Sequence, residues 1–417
     1  MHASLKSSLQ VFHAGHFANF WLGRFLSTMA TFMLSVTLGW QVYTIARQSH
    51  SIEQSSFLVG MIGLVQFLPL FALTLPAGAA ADRYDRRKIL LGATILQLSC
   101  AAGLAGLAWS AHPALPLIFL AAALFGTARA FIIPATSALA PMLVNIELLP
   151  RAIAWNSLGM QGGMVLGPWI GGVLCGISTA LSYAVAAGLY LCALTAFVRI
   201  RGNTRPGHRG GSRLTMIREG LIYIWSNKVV FGAISLDLVA VLLGGVTALL
   251  PVYAHDILRI GPGGFGLLRS GPAIGGGLMA LLLSVRPIHR HAGSWMLGAV
   301  SVFGLATIVF AVSRNLTLSL VALVVLGAAD VISVFIRQSL VQVVTPDPMR
   351  GRVSAVSGMF ISASNELGEF ESGVVARLAG PVGSALLGGI GSIVVTWVWA
   401  RLFPALRKAD RLETPGA

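Results

Sequence analysis

The chain has 417 residues, of which 56% are hydrophobic and 10% charged, and its mean hydropathy is +0.81. A water-soluble chain of this length needs far more charge to cover its surface, which excludes a soluble enzyme or binding module. The net charge of +15 does not signal nucleic acid, because the basic residues cluster in short loops without interleaved aromatics.

The apolar residues fall in long blocks. A helix crosses the hydrocarbon core in about 20 residues, and blocks of that length recur along the chain. The alternating pattern of a transmembrane barrel is missing. Twelve spans are predicted, at 17–46, 57–80, 88–109, 114–140, 151–175, 178–199, 229–254, 263–286, 292–313, 316–344, 352–378 and 381–403. The N-terminus is weakly basic at Lys6 and lacks a convincing cleavage site after the first block. That block reads as a retained helix rather than a signal peptide.

Six spans precede and six follow a polar segment. The expected architecture is an all-α membrane protein with a six-helix bundle in 1–199, a cytoplasmic linker in 200–228, a second bundle in 229–403 and a tail in 404–417. Residues 200–213 are rich in Gly and Arg and suit a flexible connector. Residues 214–226 put Leu214, Ile217, Leu221 and Ile224 on one face, with Trp225 nearby. This pattern fits either a helix lying on the anionic inner leaflet or a solvated connector.

With the N-terminus inside, 21 of the 29 Lys and Arg residues fall in inner loops and three, Arg47, Arg259 and Arg314, in outer ones. The positive-inside rule then places both termini in the cytoplasm. The halves also resemble each other. A shift of 201 residues pairs Gly92 with Gly293, Gly126 with Gly327, Ala128 with Ala329, Arg151 with Arg352, Ala154 with Ala355 and Gly167 with Gly368. Such matches at equivalent span positions predict two pseudo-symmetric bundles around a midplane cavity, the geometry of alternating access.

The strongest local signal follows the second span: Gly78-Ala-Ala-Ala-Asp82-Arg83-Tyr84-Asp85-Arg86-Arg87-Lys88. It resembles the signature loop of the major facilitator superfamily. The resemblance implies close packing at the glycine, capping or pairing by Asp82, and anchorage of the basic cluster to the inner leaflet. Asp85 stands where that superfamily usually has glycine, which is similar to the branch containing bacterial enterobactin exporters. Arg24-Phe25-Leu26-Ser27 and Asn365-Glu366-Leu367-Gly368-Glu369 resemble the same branch. In the fifth span, Gly159, Gly163, Gly167-Pro168 and Gly171-Gly172 form a flat stripe for a neighbouring helix, with a proline that permits a bend. This spacing resembles the antiporter motif of drug-exporting facilitators; tight packing alone is the other reading. Facilitators often carry an arginine ahead of the glycine in the fourth span, whereas Arg129 follows Gly126, so a proton-relay role does not transfer directly.

Ionised side chains within spans cost on the order of 3 kcal/mol and need a cavity or a partner. The candidates are Arg24, Arg129, Asp237, Arg269, Asp330, Arg337, Glu366, Glu369, Glu371 and Arg377. Asp330, Ser333 and Arg337 share one face of the tenth span, and Ser362, Glu366, Glu369 and Gly373 one face of the eleventh. The expectation is a buried network in which Arg337 reaches Glu366 or Asp330, serving proton coupling or merely holding helices in register. Arg129 and Asp330 are expected to approach from opposite halves. Glu371 and Arg377 are expected nearer the outer end, in a rim or gate pairing or in transport, and Arg24 and Arg269 to extend toward headgroups or line the cavity. Asp237 reads as a proton site or a helix contact.

Cys100, Cys175 and Cys192 all lie in spans, which excludes a disulfide framework and offers no metal spacing. No cofactor is expected. No Gly-x-x-x-x-Gly-Lys-Ser/Thr loop occurs, and the histidines lie mostly in loops away from the cysteines, so neither ATP hydrolysis nor an intramembrane enzyme is expected. The expected function is secondary active, proton-coupled export of a small organic molecule, siderophore-like or an amphipathic drug, by a monomer in the bacterial inner membrane. Phe20, Trp21, Trp40, Phe67, Phe131 and Trp169 are available to line its cavity. A symporter on the same fold and a non-transporting sensor or scaffold are the alternatives.

Overall fold

The computed structural model describes residues 10–13, 16–110, 114–201, 204 and 213–409, and among them every regular element is helical. The first six long helices are α1 (Phe17–Ala46), α2 (Ile52–Arg83), α3 (Arg86–Trp109), α4 (Leu115–Leu139), α5 (Leu149–Ile177) and α6 (Thr179–Val198). A shorter helix, α7 (Arg213–Ser226), precedes α8 (Lys228–Leu243), α9 (Gly261–Val285), α10 (Ala292–Val312) and α11 (Leu316–Val344). Among the described residues, eleven helical stretches are long and apolar enough to cross a membrane. One of them, Asp347–Leu402, is 56 residues long and contains a non-helical residue, Gly380, at φ 75° and ψ 164°. That φ suits glycine, and the following Pro381 has no N–H to donate. The stretch is therefore two spans, α12 (347–379) and α13 (381–402), and the described residues hold twelve.

Local chemistry sets the ends. Ser178 and Asn227 cap α6 and α8 with their side-chain oxygens, and Asn315 does the same for α11. The seventh span departs from the single helix expected at 229–254. Gly244-Gly245 interrupts α8, a 3-10 turn (Val246–Leu249) follows, and a π turn occupies Tyr253–Ile257.

The chain forms two compact units, residues 1–45 with 65–210 and residues 46–64 with 211–417. In the first unit α5 lies on α1 through a glycine seam. A methyl group added at Gly167 would stand 2.6 Å from the Met29 carbonyl oxygen, and one at Gly163 would stand 2.9 Å from the Thr28 side chain. Hydrogen bonds Thr37–Ser182 (2.6 Å), Thr31–Tyr190 (3.0 Å) and Tyr183 to Gln41 (2.7 Å) tie α1 to α6. Gly126 lets α4 rest on the backbone of α2 at Gln66.

The second unit repeats these contacts at shifted positions. Gly327 lets α11 rest on the backbone of α9 at Pro272, as Gly126 does for its own pair. A methyl added at Gly368 on α12 would meet the Val241 and Leu242 carbonyls of α8 at 2.8 and 3.0 Å, the counterpart of Gly167 against α1. In two of the shifted glycine pairs, Gly126 with Gly327 and Gly167 with Gly368, both residues thus do the same packing job in their own unit, as an internal duplication requires.

α7 covers most of the predicted amphipathic stretch; the side chain of Leu214 lies outside the described residues. Ile217, Leu221 and Ile224 pack on Val230, Val341, Val353 and Val356. The Tyr223 hydroxyl donates to the Val344 carbonyl (2.9 Å), and Glu219 pairs with Arg352. The apolar face therefore docks on protein rather than lying on the leaflet, while Ile222 and Trp225 on the other side stay exposed.

Candidate functional site

Charge within the spans of the second unit gathers in two clusters. In the first, α8 and α11 bring Arg337 Nη2 to 3.5 Å from Asp237 Oδ2, with both side chains almost fully buried. The Ser333 hydroxyl donates to Asp237 Oδ1 (3.5 Å), and Arg337 Nη1 donates to the Ser357 hydroxyl on α12 (3.4 Å). Arg337 Nε and Nη2 make no hydrogen bond among the described residues. Beside this pair lies a cavity with room for about one water, lined by Asp237, Asp330 and Ser333. Asp330 has no cation within ion-pair distance among the described residues.

Arg337 thus pairs with Asp237, a partner that the expectation of Glu366 or Asp330 did not include. Asp330 is seven residues from Arg337 on the same helix, a rise of about 10 Å. Asp237 on the neighbouring helix is the nearer carboxylate. No spacing within α11 reveals that partner, which is a hundred positions earlier in the chain.

The second cluster centres on Glu369 of α12. Its Oε1 accepts from Arg269 Nη2 (3.0 Å) on α9 and from the Thr247 hydroxyl (3.2 Å). Thr247 comes within reach because the chain leaves α8 at Gly244-Gly245, and only glycine fits at 245 against the carbonyl of Gly368. Arg269 therefore holds a half-buried carboxylate and does not extend toward headgroups. Glu366 is 8% exposed, one turn away from this cluster. Gly63 of α2, within the same unit, lies against the Glu366 carbonyl and Glu369 Cβ. Arg377 stacks on the ring of Phe57 (5.1 Å), and Glu371 accepts from the Ser372 hydroxyl (3.5 Å), in place of the rim pairing expected of those two.

Among the described residues, the spans of the first unit contain no acidic cluster. Arg24 Nη2 lies 3.9 Å from Met160 Sδ, its Nε is buried without a partner, and no carboxylate lies within ion-pair distance among the described residues. Asn156 Oδ1, one turn from Met160 on α5, is likewise buried and unsatisfied. Trp21 stacks on Phe25 (5.7 Å) and donates from Nε1 to the Trp155 carbonyl (2.7 Å), so an aromatic wall flanks Arg24. Arg129 Nη1 donates to Gln66 Oε1 (3.2 Å) within this unit.

The loop between α2 and α3 is held by its own charges. Asp85 caps α3, accepting from Arg87 N–H (3.0 Å) and from the Thr204 hydroxyl (2.5 Å). Arg86 donates to the Ala81 (3.1 Å) and Ala138 (3.3 Å) carbonyls, and Arg87 to the Phe197 carbonyl (3.2 Å) and to that of Val198. These two arginines thus satisfy orphan carbonyls at the ends of α4 and α6 instead of reaching for the leaflet. Arg83, Lys88 and Asp82 are exposed, and Gly78 is buried in the last turns of α2. Thr204 was invisible as a partner in the sequence, although an Asp just before a helix start is a cap signal. In α5, Gly159 backs onto the Trp21 indole and Gly171 onto Met33, and Pro168 and Gly172 are buried in the same helix.

A family model described as transmembrane secretion effector matches residues 6–414. The enterobactin exporter EntS of Citrobacter koseri is 26% identical over 400 residues, covering 93% of this chain and 91% of the exporter. The multidrug efflux pump Tap of Mycobacterium tuberculosis is 28% identical over 406 residues, covering 93% and 94%. Among solved structures, a D-xylose–proton symporter superimposes with TM-score 0.72 at 14% identity, over 95% of this chain and 98% of the symporter. A POT family transporter in complex with 5-aminolevulinic acid does so with TM-score 0.75 at 12% identity, over 94% and 96%. Those identities speak for the fold alone. The duplicated helical units and a family match over nearly the whole length lead to one assignment: the chain belongs to the transmembrane secretion effector family of major facilitator transporters.

Proposed function

We propose that the chain exports a small organic molecule from the bacterial cytoplasm in exchange for protons, by alternating access, as a monomer in the inner membrane. The observation that carries this reading is the Asp237–Arg337 and Glu369–Arg269 pairs beside Asp330, which has no ion-pair partner among the described residues, charges that a merely structural bundle has no reason to place within its spans. Asp330 and Glu369 take and release the proton; Arg337, Asp237 and Glu366 support them. Both exporter relatives and the glycine seam of α5 support the outward direction. The halves follow the division 1–199, 200–228, 229–403 and 404–417, with both termini in the cytoplasm. Arg24, beside Trp21 and Phe25, suits an anionic group on an aromatic or amphipathic cargo, siderophore-like or drug-like.

The test compares culture-medium metabolites of cells with and without the gene, including iron-limited growth. Export predicts an organic anion in the medium that disappears on deletion and returns on complementation. Accumulation of the same compound by right-side-out vesicles under an inward proton gradient would instead make the protein a symporter.

A further inference from the structure

α9, α10 and α11 leave an apolar cavity of about 630 Å3 on one side of the second unit. Met279, Trp295, Val302, Val325 and Ile332 line it, and its floor is made of small residues such as Gly298 and Ala328. Among the described residues that line it, His291 and Ser294 are hydrophilic and Trp295 carries an indole N–H, and all three stand in the N-terminal part of α10 or just before it. His291 adopts φ 57°, which turns the chain sharply there, and His289, Arg290 and His291 are all exposed around that mouth.

Two features identify what fits. From His291 to Val302 the groove follows α10 for eleven residues, about 16 Å, which is half of a ~30 Å hydrocarbon core and so the depth of one leaflet. The basic mouth lies at the end of the helices that carries Arg286, Arg290 and the linker, the end the positive-inside rule assigns to the anionic cytoplasmic leaflet. An apolar channel one leaflet long with cations at its rim matches a negatively charged lipid.

We propose that this groove is a specific site for an anionic phospholipid, one acyl chain lying along α10 and the phosphate meeting His289, Arg290 and His291. The site has a place in the machinery. Ala329 lines both the groove and the water-sized cavity at Asp330, so a chain filling the groove seals the acid against water from the lipid side. The proposal does not depend on what the protein transports or in which direction.

The test uses the full-length protein reconstituted in vesicles of equal parts phosphatidylglycerol and phosphatidylethanolamine, then released for native mass spectrometry. One phosphatidylglycerol is expected to stay bound in preference to phosphatidylethanolamine. A Cβ at Gly298 meets nothing within 4 Å, so Gly298→Phe enters the groove without striking backbone. It should lower retention at least tenfold by displacing several buried methylenes. Arg290→Gln, on the exposed rim, should cost about fivefold for phosphatidylglycerol alone. Gly298→Ala, too small to fill the groove, should retain the lipid and serve as the folding control. Equal retention of the two lipids, or unchanged retention in both Gly298→Phe and Arg290→Gln, overturns the proposal. So does loss of an amphipathic dye from Gly298→Phe while phosphatidylglycerol stays, which would assign the groove to cargo.

Discussion

The two units share packing but not charge. Gly126 and Gly327 do one job, and Gly167 and Gly368 another, in matched positions. Yet the span interiors differ: the first unit holds Arg24 and Arg129 within its spans and keeps its carboxylates, Asp82, Asp85 and Glu147, at or beyond helix ends, whereas the second buries Asp237 and Glu366 and half-buries Asp330 and Glu369 among its helices. Duplication preserved what the backbone needs to pack. It left each half free to acquire its own ions, a cationic interior in one and acids paired with arginines in the other.

The largest effect expected from breaking this contrast is at the buried pair. Asp237→Ala strands Arg337, whose side chain is 1% exposed, and should cost about 3–5 kcal/mol. Thermal unfolding in detergent should show it, and Asp237→Asn with Arg337→Gln should recover much of the loss. Next come the glycines. Gly167→Ala and Gly368→Ala should each destabilise by about 1–3 kcal/mol and by similar amounts, because each drives a methyl into a neighbouring helix backbone. Gly92 and Gly293 sharpen the comparison, being equivalent in sequence but not in surroundings. Gly92→Ala meets open space and should be neutral or mildly stabilising, whereas Gly293→Ala strikes the Leu406 carbonyl and should destabilise. The first unit's cation comes third: Arg24→Gln should weaken export of an anionic substrate about tenfold and leave a cationic dye unaffected, read as initial efflux rates. Smallest is Glu219→Gln on α7, where the pair with Arg352 is more than a third exposed. It should change stability by less than about 1 kcal/mol.

Hydropathy made the spans legible because their signal is local. The first and tenth are predicted at the observed bounds, and the break between α12 and α13 falls at Gly380, one of the two residues left between the predicted blocks 352–378 and 381–403. The apolar face of α7 was equally plain, but its destination was not. A face written into Ile217, Leu221 and Ile224 does not say whether lipid or the ends of α11 and α12 will cover it. The candidate site was legible as a list of charges and not as pairs. Arg269 looked like a residue reaching for headgroups because its partner, Glu369, lies a hundred residues away. Likewise Thr247 reaches Glu369 only because Gly244-Gly245 unwinds α8, and a glycine pair in an apolar run carries no hydropathy signal that separates it from continuous helix. Asp85 and Thr204 meet across a connector whose course no periodicity encodes.

The contrast between the units matters most if the acids of the second couple protons to transport. Everted vesicles carrying the wild type, Glu369→Gln or Asp330→Asn, acid inside, test this by their accumulation of exported substrate. The wild type should accumulate it, and both variants, present in the membrane at normal amounts, should fail under the gradient. Normal gradient-driven accumulation by both variants would contradict the account.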